Sequence, residues 1–455
     1  MHFRQFYVGC LAHASYLIGD RGEAVVVDPS RDVAMYLEEA DAHGLAIRWV
    51  LETHLHADFV SGHRELAERT GAAIALGERA DARFPHRRLR DGDEIAVGDV
   101  RIRALETPGH TPESLTFLVF ARAGDAAPWG ALTGDTLFVG DVGRVDILSS
   151  RLPVAELAGL MYDSLHGRLL RLPDDTRVYP AHGAGSLCGR AIAGERSSTI
   201  GRERADNPAL RPMSREAFVA DITRDVPETP VYFLHSRDLN REGPPVRAEA
   251  ALPPTLDAAL ARAALARGAV LLDTRPAEEY AAAHPAGALH VGLDGQYASW
   301  VGTLVRPDDE LLLLAPSGRA EEAAMRLARV GYDRVVGLLE PATSSWRAAA
   351  LEVASTRSEP IATAVDGRRS VLDVRRRHEW SAGHIEGAHN LPLAQLPERI
   401  GELDPGEEWL VLCASGYRST IAASVLERAG IRRIVNATGG MDAWQGAGRP
   451  VVTGS

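Results

Sequence analysis

The sequence predicts a multidomain chain of α/β and α+β class, and three observations carry that prediction. Its 455 residues are a length for about three domains. Short apolar runs of strand length are followed by stretches of helical spacing. Leu272-Asp273-Thr274-Arg275 recurs one hundred residues later as Leu372-Asp373-Val374-Arg375, so the C-terminal part reads as two copies of one small α/β unit with a parallel sheet.

With 45% hydrophobic and 25% charged residues, the composition is that of an ordinary globular protein. A formal net charge of −12 argues against nucleic-acid binding, which favours basic patches. There is no run of about 18 apolar residues to span a membrane, and no signal-type apolar segment near Met1. The three cysteines, Cys10, Cys188 and Cys413, do not make a disulfide framework and fit a reducing compartment. The expectation is a cytoplasmic protein without membrane or nucleic-acid partner; a homo-oligomer is compatible with it.

Taken in order, residues 6–28 read as two strands, Phe6-Tyr7-Val8 with Ser15-Tyr16-Leu17-Ile18, then Ala24-Val25-Val26-Val27, turned by Gly19-Asp20-Arg21-Gly22. Asp28-Pro29 ends the second. Residues 33–43 have helical spacing. Residues 47–51 read as a buried strand, and residues 61–71 as a helix with Ser61 near its N-cap and Gly71 just past its end. Between them lies Thr53-His54-Leu55-His56-Ala57-Asp58-Phe59, on a strand-to-helix loop where side chains are free to converge. Imidazole and carboxylate are the ligand set of zinc, iron and manganese. Ligand-type residues recur on further loops, His110 in Thr107-Pro108-Gly109-His110-Thr111, Asp135 in Leu132-Thr133-Gly134-Asp135-Thr136 and His182 in Tyr179-Pro180-Ala181-His182-Gly183.

The loop from Leu137 to Asp146 contains Arg144, whose guanidinium fork suits a carboxylate. An ion pair with a neighbour such as Asp146 is the plainer reading. The glycine-rich stretch from Ala181 to Cys188 lacks the lysine of a phosphate loop. Its closeness to His182 makes Cys188 either an auxiliary sulfur-carrying thiol or a small buried side chain; Cys10 takes the second reading. Residues 195–239 are polar and helical, and residues 240–255 read as a linker.

In the second repeat, Trp409-Leu410-Val411-Leu412 leads into Cys413-Ala414-Ser415-Gly416-Tyr417-Arg418-Ser419 and then a helix to Arg428. Loop amides, a helix N-terminus and Arg418 would place positive charge at the Cys413 sulfur, which favours a thiolate or a persulfide anion. Asp373, Arg375 and Glu379 read as braces of that loop, and His384 as a packing group. The first repeat has Ala315-Pro316-Ser317-Gly318-Arg319 instead, one residue shorter and without sulfur. Ser317 has no evident activating base nearby.

The ordered set of His54, His56, Asp58, His110, Asp135 and His182 resembles the metallo-β-lactamase superfamily over roughly residues 1–235. The resemblance implies an αββα sandwich with metal at one sheet edge. Where the common family motif ends in Asp-His, this chain has Asp58-Phe59. Phenylalanine cannot ligate, so a one-metal site is expected, against two-metal clamping. Within the superfamily the chain is similar to the persulfide dioxygenases. That similarity implies one Fe(II) per metallo-β-lactamase domain, held by His54, His110 and Asp135 as a two-histidine, one-carboxylate set with open positions. It places His56, Asp58 and His182 behind them, orienting ligands or water, and Arg144 and Asp146 beside the thiol substrate. A zinc site of His54, His56 and His110 stays open as the alternative. Residues 360–452, with Leu372-Asp373-Val374-Arg375, Gly383-His384-Ile385-Glu386-Gly387-Ala388 and the Cys413 loop, resemble rhodanese domains. That resemblance makes Cys413, with Arg418, the catalytic group and the first repeat an inactive copy.

The expected organisation is an αββα metallo-β-lactamase sandwich at residues 1–240, an inactive rhodanese-like α/β domain at 255–352 and an active one at 360–455. The expected reaction is oxidation of a low-molecular-weight thiol persulfide by O2 to sulfite, with Cys413 passing sulfur to sulfite to give thiosulfate. Two other classes are carried beside it. One is a metal-dependent thioester hydrolase like glyoxalase II with accessory rhodanese domains, against which Phe59 argues. The other is a non-catalytic sulfur carrier with a structural metal.

Overall fold

The computed structural model describes residues 1–147, 152–224, 229–247, 252–365 and 367–454. The chain forms two compact units, Met1–Ala250 with Ala328–Gly331, and Ala251–Leu327 with Tyr332–Ser455.

The first unit is built on two six-stranded sheets. One runs in the order His2–Val8 (β1), His13–Asp20 (β2), Glu23–Val27 (β3), Ala46–Leu51 (β4), Ala73–Gly77 (β5) and Arg87–Leu89 (β6). The other holds Glu94–Val97 (β7), Val100–Glu106 (β8), Leu115–Phe120 (β9), Gly130–Gly134 (β10), Arg177–Pro180 (β11) and Ser198–Thr199 (β12), each beside its neighbour in sequence. The period-two alternation of strand side chains sorts the core into layers. Ala14, Tyr16 and Ile18 of β2 meet Ile102, Ala104, Phe117 and Val119 between the sheets. Leu17 of the same strand points the other way, towards Tyr36 of helix Ala34–Ala42 (α1) and Leu66 of helix His63–Thr70 (α2). Beyond the second sheet, Leu157, Met161 and Leu165 of Val154–Gly167 (α3) pack with Val178 and Phe218. This is the αββα sandwich expected.

Two element boundaries differ from the sequence reading, and the first of its two strands is itself two. β1 starts at His2 rather than Phe6 and pairs along its whole length with a separate β2, from His2↔Gly19 to Val8↔His13. Ser61 lies next to the N-cap of α2, as read: Gly62 is the cap residue, and the Ser61 hydroxyl accepts from His63 N at 3.2 Å and donates to Glu52 Oε1 at 2.5 Å. Gly71 closes the helix in the left-handed region at φ 74°, as its position predicted. The expected linker at 240 begins later, since a helix runs over Tyr232–Glu242 to Gly243; residues 248–251 lie outside the described residues.

The topology gathers the loops that matter. β3, β4, β10 and β11 each end on one side, leading into Asp28, Thr53-His54, Asp135 and His182. Two backbone bonds join the sheets there, Ala14 N to Ala181 O at 2.7 Å and Gly183 N to Ala12 O at 2.9 Å.

The second unit holds two parallel sheets. The first has the order Leu289–His290, Val270–Asp273, Leu311–Leu314, Val335–Leu338, and the second Arg357–Pro360, Ile434–Thr438, Trp409–Leu412, Ser370–Asp373, His389–Asn390. The repeat is structural. Asp273 pairs in register with Leu314, and Asp373 with Leu412, so Ala315 and Cys413 follow equivalent strand ends. Arg275 and Arg375 each grip the aspartate two residues before them, at 2.6 Å, and a backbone carbonyl eight residues on. His384 stacks on Trp380 with ring centroids 3.5 Å apart. Among the described residues no helix is long and apolar enough to cross a membrane.

Candidate metal centre and cysteine loop

His54, His110 and Asp135 are buried, and one ligand-type atom from each lies within 4.8 Å of the others. Asp135 Oδ2 is 3.4 Å from His110 Nε2 and 3.9 Å from His54 Nε2. Their other polar atoms fix which lone pairs face inward. His110 Nδ1 lies 2.7 Å from the Arg144 carbonyl, which can only accept, so Nδ1 carries the proton and Nε2 the lone pair. Thr53 Oγ1 donates to the Asp28 carboxylate at 2.9 Å and so accepts from His54 Nδ1, also at 2.9 Å. His54 Nε2 therefore also presents a lone pair. His54 Nε2 and Asp135 Oδ2 have no hydrogen-bond partner among the described residues. Buried polar atoms normally have partners, and two orphaned donor atoms beside a third imidazole nitrogen fit a cation that all three would hold.

Charge around this set is ordered. Asp135 Oδ1 is 2.7 Å from His182 Nδ1, and His182 Nε2 is 2.8 Å from Asp58 Oδ2. Burial opposes a charge on His182, but Asp135 and Asp58 outweigh it and raise its pKa well above the ordinary value. Burial likewise opposes ionisation of Asp135, yet His182, His110 and His54 hold its pKa well below the usual carboxylate range. Burial, then His56, keeps His54 uncharged, and burial does the same for His110. Two neutral imidazoles and an ionised carboxylate are the forms that bind a metal.

His56 belongs to a different group. Its Nε2 lies 3.2 Å from Asp28 Oδ1 and 3.4 Å from Glu52 Oε2, and these three residues form their own buried cluster. Burial works against its charge, but Asp28, then Glu52 and Asp58, lift its pKa to about 9. The set of His54, His56 and His110 is thus not the one the fold assembles. Phe59 is fully buried and packs on His56 and His13, at 4.4 and 4.0 Å between ring centroids. The sequence reading missed Asp28 and Glu52. Asp28 sits at φ 50° without being glycine and is held there by Thr53 N and Oγ1. A carboxylate closing one apolar strand and another opening the histidine motif were the available signals. Replacing Thr53 by valine keeps its shape but removes the relay to His54. We expect metal affinity to fall about 10- to 100-fold, as read by competition with a chelator of known affinity; unchanged affinity would remove Thr53 from this role.

Arg144 and Asp146 are used on each other. Nε and Nη2 of the buried arginine reach the two carboxylate oxygens at 2.8 and 2.5 Å, and Nη2 also donates to Thr229 Oγ1. A substrate carboxylate would have to displace Asp146. Cys188 lies beside the site, its sulfur within 4.8 Å of donor atoms of Asp58 and His182. Burial, then Asp58 and Asp135, push its pKa well above that of a free thiol, which disfavours the thiolate a sulfur carrier needs.

Cys413 is buried at the end of its strand. Gly416 N donates to Sγ at 3.1 Å, and the helix Tyr417–Arg428 begins directly behind. Met441 N and Asp442 N hold the carbonyls of Cys413 and Ala414 at 2.8 and 3.0 Å. Gly440 must be glycine for this, since a Cβ there would fall on both carbonyl oxygens. Arg418 shares its charge: both Nη atoms pair with Glu379 at 2.7 Å, and the guanidinium also interacts electrostatically with Cys413. Glu379 thus braces the arginine.

Residues 8–182 match the family model described as the metallo-beta-lactamase superfamily, and residues 257–349 and 359–447 each match the rhodanese-like domain. The chain belongs to the metallo-β-lactamase superfamily and carries two rhodanese-like domains in tandem behind that domain. Two relatives of its N-terminal half bear different names. Hydroxyacylglutathione hydrolase of Acidiphilium cryptum is 35% identical over 229 residues, which are 45% of this chain and 88% of that protein. The mitochondrial persulfide dioxygenase ETHE1 of Homo sapiens is 30% identical over 222 residues, 48% of this chain and 78% of that one. Among solved structures, a metallo-beta-lactamase from Staphylococcus aureus is similar over 75% of this chain and 99% of its own, at 33% identity and a TM-score of 0.68.

Proposed function

We propose that the chain is a non-haem iron persulfide dioxygenase coupled to a sulfurtransferase. The observation that carries this reading is the buried set of His54, His110 and Asp135, with His56 turned to Asp28 and Glu52 and with Phe59 where a second-metal histidine would stand. Two histidines and a carboxylate with open positions are the facial set of Fe(II) oxygenases. Held by these three residues, Fe(II) would supply the redox chemistry between O2 and a persulfide.

The chain's own residues order the site around those positions. Thr53 and the Arg144 carbonyl fix both imidazole tautomers, and His182 holds a proton between Asp135 and Asp58. In the overall reaction a thiol persulfide anion, O2 and water give the thiolate, sulfite and two protons. The outer sulfur is oxidised by four electrons, and O2 is reduced. At Cys413, the thiolate attacks the outer sulfur of another persulfide; the S–S bond breaks and the thiol leaves as thiolate. The resulting Cys413 persulfide gives that sulfur to sulfite, releasing thiosulfate and restoring the Cys413 thiolate. Gly416 N is placed to stabilise the anionic sulfur in both states.

The hydrolase reading is favoured by the hydroxyacylglutathione hydrolase relative. One experiment separates the two. Protein purified anaerobically, loaded with iron and assayed for metal is given glutathione persulfide or a hydroxyacylglutathione thioester. Iron-dependent oxygen uptake with thiosulfate as product supports the proposal. Thioester hydrolysis without uptake, with iron verified in the protein, overturns it in favour of the hydrolase.

A further inference from the structure

The repeat without a cysteine lies against the helix that carries the other repeat's cysteine loop, both inside the second unit. Tyr417 is four residues beyond Cys413 and next to Gly416, whose amide reaches the sulfur. Its hydroxyl donates to the Gly292 carbonyl at 2.8 Å. Its ring lies on Gly295, where any Cβ would fall on ring atoms. This seat is itself pinned. The buried Arg326 donates to the carbonyls of Leu293 and Gly295 at 2.5 and 2.8 Å. The contact continues down one face of the helix. Ser424 Oγ accepts from His290 N at 3.0 Å, Glu427 pairs with His284 at 2.9 Å, and Arg428 donates to the Gly287 carbonyl at 2.8 Å. Residues 417, 424 and 428 are spaced as neighbours on one helical stripe.

The first repeat's own loop has diverged in the same direction. Ala315 stands where Cys413 stands, and Arg319 pairs with Asp294, beside the seat, and with Glu322. In the second repeat the loop arginine instead holds Glu379, next to the sulfur loop.

We propose that the cysteine-free repeat is a positioning domain for the Cys413 loop, acting through the seat that Gly292 and Gly295 give to Tyr417. The seat fixes the start of the helix and with it the Gly416 amide at the sulfur. Tyr417 and Gly295 are positioning residues and touch no substrate. The inference rests on the sulfur-transfer reading of Cys413.

The test uses the full chain with Tyr417→Phe, Gly295→Ala and Gly295→Val. Sulfur transfer from glutathione persulfide to cyanide is followed as thiocyanate, and alkylation of Cys413 by iodoacetamide is followed across pH by peptide mass spectrometry. Displacing the loop by a fraction of an ångström is expected to lower kcat about ten- to hundredfold in Gly295→Val, and less in Tyr417→Phe. KM is expected to stay within twofold. The alkylation profile is expected to change, because the sulfur loses its hydrogen bond from the Gly416 amide. Tyr417→Phe removes a single oxygen and keeps the test alive where the valine variant does not fold. Unchanged kcat and an unchanged profile in folded variants would overturn the inference, whether or not the melting temperature falls. A parent protein that forms no thiocyanate while the variants still shift the profile would instead overturn the sulfur-transfer reading and leave the positioning intact.

Discussion

Serine in place of Cys413 is expected to abolish thiosulfate formation while leaving oxygen uptake within twofold of the parent. The hydroxyl is nearly isosteric but is a far weaker nucleophile at neutral pH and cannot carry a persulfide. Loss of a covalent nucleophile costs on the order of 10³-fold or more. The sulfur at stake accepts a hydrogen bond from Gly416 N and lies at the end of a fully buried strand. Cys10 and Cys188 both belong to the first unit. Sulfite should therefore accumulate in proportion to the oxygen consumed. The measurement is an oxygen electrode trace with sulfite and thiosulfate quantified on the same sample. Thiosulfate at the parental rate from Cys413→Ser would end the assignment of this cysteine.

The second large effect is expected at Asp135. One oxygen faces His54 and His110, and the other is bound by His182. Asparagine keeps the shape but removes the only carboxylate of the set. It also places an amide N–H₂ either at the metal position or against His182, where the proton already sits. We expect metal content to fall below about a tenth of an ion per chain, beyond the 10- to 100-fold loss typical of a residue that merely supports a ligand. Oxygen uptake should fall with it. Sulfur transfer to sulfite from supplied persulfide should persist, since Cys413 has its own scaffold. His54→Ala should behave like Asp135→Asn, whereas His56→Ala should retain the ion, because His56 faces Asp28 and Glu52 instead. Metal analysis after desalting reads all three variants. Full metal occupancy in Asp135→Asn, or loss of metal in His56→Ala alone, would replace the two-histidine, one-carboxylate set with three imidazoles.

The sequence by itself determined the chemistry types and their order along the chain. His54, His110 and Asp135 are legible because each sits in a short loop after a strand-like run, and a strand end is a local property. The absence of a second-metal histidine is legible in Phe59, and the loss of sulfur in the first repeat in Ala315, because a side chain's chemical capacity needs no fold to be read. The tertiary structure decided which of these groups face one another. Asp28 and Thr53 are twenty-five residues apart and meet because β3 and β4 are adjacent parallel strands. Their pairing sets the His54 tautomer and brings Asp28 to His56. Asn240, at |i−j| = 184, holds the His56 carbonyl and thereby the loop's course. Arg418 reads as a charge for the Cys413 sulfur, and only the fold shows that Glu379 shares it; Arg144 reads as a carboxylate fork or as an ion-pair partner, and the fold makes the pair with Asp146. Tyr417 carried no signal, since its partner is a backbone carbonyl and a missing Cβ 125 and 122 residues away. A motif records what a side chain can do. A contact between distant segments is made by strand order and packing, and there the sequence carries no local pattern to read.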